Sequence, residues 1–178
     1  MKAKYLLLLT MTLFIVAGCH GSITGTVVDA HTGQPVEGAV VLVEWTKTSG
    51  KWIGLRATSS YKVVETITDK AGKFEIRAVF SQNADPPHLT IYKKGYVAWN
   101  NEFIFPGYKK REDFQWESGY VFRLEEFKKV YSYNDHIDFI RSSINSSLER
   151  NYEHKKTIFR AIEWEERLAL QERLRKNQ

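Results

Sequence analysis

The stretch ITGTVVDAHTGQPVEGAVVLVE, Ile23 to Glu44, decides the fold. Its two apolar runs, Ile23 to Val28 and Val40 to Val43, flank a polar segment rich in Gly, Pro and Asp, the pattern of strand, turn, strand. The turn has a physical logic: Asp29 and Thr32 can bond their own backbone, Gly33 can take a positive φ, and Pro35 fixes φ while donating nothing. The two strands are expected to form an opening hairpin.

Working outward, Gly25, Val27, Asp29, Thr32, Gly33, Pro35, Gly38, Ala39 and Val41 follow the pattern G-x-V-x-D-x-x-T-G-x-P-x-x-G-A-x-V. Thr68, Asp69, Gly72 and Phe74 supply a second piece, T-D-x-x-G-x-F, expected to be a hairpin, and Gly95 with Tyr96 a third. In these three ordered pieces the chain resembles the carboxypeptidase regulatory-like domain over residues 22 to 125. The resemblance implies a small transthyretin-like or immunoglobulin-like β-sandwich that carries no catalytic residues. Such sandwiches are appended to peptidases, outer-membrane receptors and surface proteins alike, so the resemblance implies a fold and not a ligand.

Alternation supports the same architecture further along. Phe74, Ile76 and Ala78 fall on one face of a strand, with Lys73, Glu75 and Arg77 on the other. Tyr61 to Ile67, Leu89 to Lys93, Val97 to Phe105 and Tyr120 to Leu124 read as further strands, giving about seven. Thr46 to Ser60 is longer than a minimal turn and is expected to form an extended β-arm or loop. Past Leu124 the period changes. Ile137, Ile140, Ile144 and Leu148 make one helical stripe with Asn134 or Asp135 as its N-cap; Ile158, Ala161, Ile162, Trp164, Leu168 and Ala169 make a second, interrupted by Glu165. The pairs Glu163 with Arg167 and Glu172 with Lys176 support that helix, and a break is expected near Asn151. The expected fold class is therefore mainly β, a seven-stranded sandwich over residues 19–125 followed by a helical region over 126–178.

The first nineteen residues have a different character. Lys2 and Lys4 precede an apolar run, Tyr5 to Ala17, too short to span a bilayer. It ends in Val16-Ala17-Gly18-Cys19, which resembles the bacterial lipobox, in which a thiol takes a diacylglyceryl group before cleavage. Residues 1–18 are thus expected to be a lipoprotein signal peptide and Cys19, the single cysteine, the lipidation site. His20 stands where an Asp would signal inner-membrane retention, which favours the outer membrane. Loss of Lys2 and Lys4 lowers the net charge from +5 to +3, too mild a balance for a nucleic-acid partner.

Catalytic and metal signatures are missing. His20, His31, His88, His136 and His154 show no ligand spacing and read as incidental surface histidines, no Ser sits in a G-x-S-x-G elbow, and Glu125-Glu126 and Glu165-Glu166 read as solvated. No cofactor is expected. The richest stretch is Pro106 to Trp116, where Tyr108, Lys109, Lys110, Arg111, Phe114 and Trp116 set cations beside aromatics. Of the tryptophans, Trp45 and Trp99 follow strand spacing and read as core, whereas Trp52 reads as exposed. The function expected from these residues is a non-enzymatic, lipid-anchored envelope protein. It would use Trp52, Tyr108, Lys109, Lys110, Arg111 and Trp116 to engage an envelope protein partner or an anionic glycan.

Overall fold

The computed structural model describes residues 21–50, 57–77, 84–144 and 154–177. Among the described residues nine strands run in the order β1 (Ser22–Asp29), β2 (Val40–Ser49), β3 (Ala57–Ile67), β4 (Lys73–Arg77), β5 (His88–Tyr92), β6 (Trp99–Asn100), β7 (Phe103–Ile104), β8 (Lys109–Lys110) and β9 (Tyr120–Leu124). Helices α1 (Tyr133–Ser143) and α2 (Lys156–Lys176) follow. Seven strands build a sandwich of two sheets, β4-β1-β9 and β3-β2-β5-β6, while β7 and β8 form a separate two-stranded ribbon. The mainly β architecture with C-terminal helices is thus the one expected.

The two expected hairpins are not hairpins. β1 pairs with β4 and, in parallel, with β9, while β2 pairs with β3 and β5, so Ala30 to Ala39 carries the chain from one sheet to the other. The local turn is nonetheless tight: Asp29 Oδ1 accepts from the backbone N–H of His31 at 2.9 Å and of Thr32 at 2.6 Å, and from the Thr32 hydroxyl at 2.9 Å. Likewise Thr68 to Gly72 crosses back between β3 and β4, with Asp69 Oδ1 accepting from Ala71 N–H and Lys73 N–H, both at 2.8 Å. The reason is burial. Consecutive apolar residues in β2 mean that both of its faces are covered, and a hairpin partner for it must come from the same sheet.

Both faces of β2 find a core. Val41, Val43 and Trp45 point into the sandwich with Val27, Phe74, Ile76, Ile91, Trp99 and Phe122. Val40 and Leu42 point outward and are covered, with Tyr92, by Ile137, Ile140, Ile144, Ile158 and Ile162 of the helical region. The helical stripes therefore pack on the outer face of the four-stranded sheet. Trp45 and Trp99 are core residues, as strand spacing predicts.

Of the two forms expected for Thr46 to Ser60, the β-arm is the one found: β2 and β3 run on through Ser49 and Ala57 as one paired arm, with a register shift between Trp45 and Thr46. Other boundaries differ from expectation. Val97 to Phe105 is broken into β6 and β7 because Asn100 Oδ1 accepts from the N–H groups of Glu102 at 2.8 Å and Phe103 at 2.9 Å, turning the chain. The N-cap of α1 is Ser132, whose hydroxyl accepts from Asp135 N–H at 3.2 Å, rather than Asn134 or Asp135. Leu148 and the expected break near Asn151 lie outside the described residues. No helix among the described residues is long and apolar enough to cross a membrane.

Candidate functional site

The stretch from Phe103 to Gly119 leaves the sandwich as the β7–β8 ribbon and returns along the sheet edges to β9. Its cation and aromatic residues do not form one cluster. At the ribbon, Tyr108 has a positive φ of 55° and its ring meets Phe103 at 6.5 Å and Phe139 of α1 at 5.4 Å, between centroids. Tyr108, Lys109 and Lys110 are all exposed, and Phe103 is 39% exposed beside them. This is an aromatic surface flanked by two cations, standing on the first helix.

Arg111, expected among the contact residues, behaves differently from Lys109 and Lys110 and is engaged within the protein. Its Nε donates to Asn100 O at 2.7 Å, its guanidinium lies 4.4 Å from the Trp99 ring centroid, and Nη1 reaches Asp113 at 3.1 Å. The side chain holds the loop to the sheet edge. Beneath it Phe114 is half-buried, edge-on to Trp99 at 5.2 Å and to Tyr120 at 5.0 Å, and Trp116 stacks edge-on upon Phe114 at 5.0 Å while staying 40% exposed. A groove of about 360 Å³ runs here, between β6 and β9, lined by Trp99, Arg111, Asp113, Tyr120, Arg123 and Glu125. Cys19 and Trp52 lie outside the described residues.

Two buried polar constellations escaped the sequence reading. In the first, Ala98 N–H donates to His136 Nε2 at 2.8 Å, so the imidazole proton sits on Nδ1 and is donated to Glu165 Oε1. Glu165 Oε2 accepts from the Tyr92 hydroxyl at 2.8 Å, and Trp164 Nε1 donates to that hydroxyl, also at 2.8 Å. Burial, together with the charge and hydrogen bond of Glu165, pushes the Tyr92 phenol well above its ordinary value. Glu165 is therefore no break in the helical stripe and not solvated, and His136 is no surface histidine: both are buried.

In the second constellation, Lys155 Nζ donates to Glu44 Oε2 at 2.7 Å and to Ile144 O at 2.5 Å, with both side chains almost wholly buried. Glu44 continues the outward face of Val40 and Leu42, so its burial was foreshadowed by alternation once that face is known to be covered. Nothing in the sequence around Lys155 announces it.

Histidine, carboxylate and phenol in a row are a possible acid–base relay, but here both imidazole nitrogens and both carboxylate oxygens are occupied, and the group has no open side. It fixes α1 and α2 against β5. Of the remaining histidines described, His88 Nδ1 lies 2.9 Å from Glu102 at the surface. Among the described residues no three His, Cys, Asp or Glu side chains come together as a metal site.

No curated protein is similar enough in sequence to match the chain. A family profile, that of the carboxypeptidase regulatory-like domain, matches residues 22–117, which is more than half of the chain and spans β1 through the aromatic loop. By this match, and by a sandwich in which the Asp29–Gly38 and Thr68–Phe74 motifs each carry the chain from one sheet to the other, the chain belongs to the carboxypeptidase regulatory-like domain family.

Proposed function

We propose that this is a non-enzymatic, lipid-anchored envelope protein that holds a binding module close to the membrane. The observation that carries the reading is the position of Cys19. The chain's single cysteine closes the apolar leader and stands three residues before Ser22, the first residue of β1. A family whose domain is a regulatory, non-catalytic sandwich fits a tethering role better than a reaction. The sealed His136–Glu165–Tyr92 relay supports the same reading, since its polar atoms are satisfied within the protein. The outer membrane is the proposed location, from His20 in the second mature position.

The contact surface proposed for an envelope partner is the ribbon with Phe103, Tyr108, Lys109 and Lys110. An anionic glycan would use the same cations and rings, by charge pairing and stacking. Metabolic labelling with a fatty acid tests the anchor: the wild type should incorporate label and Cys19→Ala should not. Incorporation by the variant at wild-type level would remove the anchor assignment. Capture from native envelope tests the surface. The double variant Lys109→Ser, Lys110→Ser should lose the partner that the wild type retains, progressively so as salt is added to the wild type. Equal, salt-insensitive capture by both proteins would move the surface elsewhere.

A further inference from the structure

The two ends of the sandwich are distinct. Two of the connections between the sheets, Ala30–Ala39 and Thr68–Gly72, lie at one end, locked together by Val36 N–H to Val27 O at 2.9 Å, Val27 N–H to Gly72 O at 2.8 Å and Gly38 N–H to Thr68 O at 3.0 Å. The opposite end carries the start of β1, where Ser22 pairs with Arg77, and the far end of the β2–β3 arm, where Ser49 pairs with Ala57. Gly119 N–H donates to Thr24 O at 3.1 Å and the Thr24 and Ser118 hydroxyls are 3.0 Å apart, so the loop that bears Trp116 ends beside the start of β1. The loop that bears the exposed indole of Trp116 thus ends at the rim where the described chain enters β1.

Resting on the lipid-anchored reading above, we infer that this rim is the face that stands on the lipid surface, with Trp116 at headgroup level and the Ala30–Ala39 and Thr68–Gly72 connections pointing away. Tether length is the first argument. From Cys19 to Ser22 a fully extended chain spans at most about 11 Å. The eight residues of β1 then rise roughly 25 Å to Asp29 at the other end. A lipid on Cys19 therefore holds the Ser22 rim at the bilayer, whereas the far end can approach it only if the sandwich lies on its side.

Side chains at the rim favour the upright stance. Trp116 and Tyr61 are 40% and 44% exposed, Lys47 Nζ sits 3.7 Å over the Tyr61 ring centroid, and Arg77 is exposed, a mixture of amphipathic rings and cations suited to a headgroup layer. Asp85, held to Thr46 and Thr48, and Glu117 stand at the same end, so among the described residues the cations Lys47 and Arg77 are offset by two carboxylates. The stance is thus set by the tether and the rings, and it should not depend on salt. The β2–β3 arm continues past Glu44, the last β2 residue paired with β5, toward the same surface.

The test uses the lipidated full chain in vesicles of phosphatidylethanolamine and phosphatidylglycerol with a nitroxide quencher on the headgroup. Because Cys19 is the single cysteine and is consumed by the lipid, Glu117→Cys and His31→Cys each offer one thiol for a fluorophore, one per rim. The label at 117 should be quenched several times more strongly than the label at 31, equally at low and high salt. Equal quenching, or stronger quenching at 31, on protein whose intact mass shows acylated Cys19 would overturn the orientation while leaving the anchor in place. An unmodified Cys19 in that mass spectrum would instead overturn the anchor, and the orientation with it.

Discussion

At the scale of single residues, side chains that look alike in the sequence do different work. Lys109 and Lys110 are exposed ribbon residues, and replacing both with Ser should shift stability by no more than about 0.5 kcal/mol. Arg111, their neighbour, makes a 2.7 Å bond to Asn100 O and covers Trp99, so Arg111→Ala should cost about 2 kcal/mol and loosen the whole loop. Chemical denaturation of the two variants would separate these outcomes, and equal midpoints would show that Arg111 is as dispensable as its neighbours. The glycines divide in the same way. Gly33 has a φ of +71° with open space where a Cβ would go, so Gly33→Ala costs only backbone strain, about 1 kcal/mol. At Gly72, with φ +70°, a Cβ would lie 2.3 Å from Val27 O, and because that oxygen belongs to the backbone the sheet crossing itself must move. Gly72→Ala should therefore lower the melting midpoint well beyond Gly33→Ala; a reversed order would mean that the crossing yields freely.

At the scale of elements, two carboxylates clasp helix N-termini across the structure. Glu65 of β3 accepts from Thr157 N–H and Ile158 N–H of α2, both at 2.9 Å, and Glu172 of α2 accepts from Tyr133 N–H at 3.1 Å and Asn134 N–H at 3.0 Å of α1. Burial raises the Glu172 pKa but is outweighed by the Asn134 and Tyr133 amides, the Ser132 hydroxyl and the charge of Lys176, so the carboxyl lies below its ordinary 4.5. A carboxyl lowered by folding stabilises above its unfolded value and loses that contribution as pH falls through the folded one. Glu172→Gln should therefore be less stable than the wild type near neutral pH, by about 0.5 kcal/mol because the group is largely screened by solvent. The gap should close below about pH 4; a gap constant with pH would assign the effect to packing. Sequence spacing had paired Glu172 with Lys176 and read α1 as capped from within. Neither clasp could be read locally, since each joins residues tens of positions apart. What periodicity did reveal were faces: Phe74 with Ile76, Tyr120 with Phe122 and Leu124, and the isoleucine stripes of both helices all point where the spacing placed them. What it concealed was sheet membership, because a turn of the Asp29–Gly33 type can open a hairpin or a crossing with the same hydrogen bonds.

At the scale of the whole molecule, β2 couples the family fold to the C-terminal helices. Its inward residues belong to the sandwich core and its outward residues, Val40, Leu42 and Glu44, belong to the core under α1 and α2. The helices thus form a second layer packed on the sandwich, even though the family match ends at residue 117. Residues 19–125 alone would expose Val40, Leu42, Val63, Tyr92 and Val97 to water and leave Glu44 without its cation. Such a fragment should aggregate or melt far below the full chain, while the full chain should unfold in one transition. The buried ion pair gives the finer test of the same coupling. Lys155→Met strands the Glu44 carboxylate in an apolar layer and should cost about 3–5 kcal/mol, whereas adding Glu44→Leu removes the stranded charge and should recover much of that loss. A double-mutant cycle by denaturant unfolding measures the coupling directly. Additive losses would mean that Lys155 and Glu44 stabilise the protein separately, and that the helical layer is held to β2 by its apolar contacts alone.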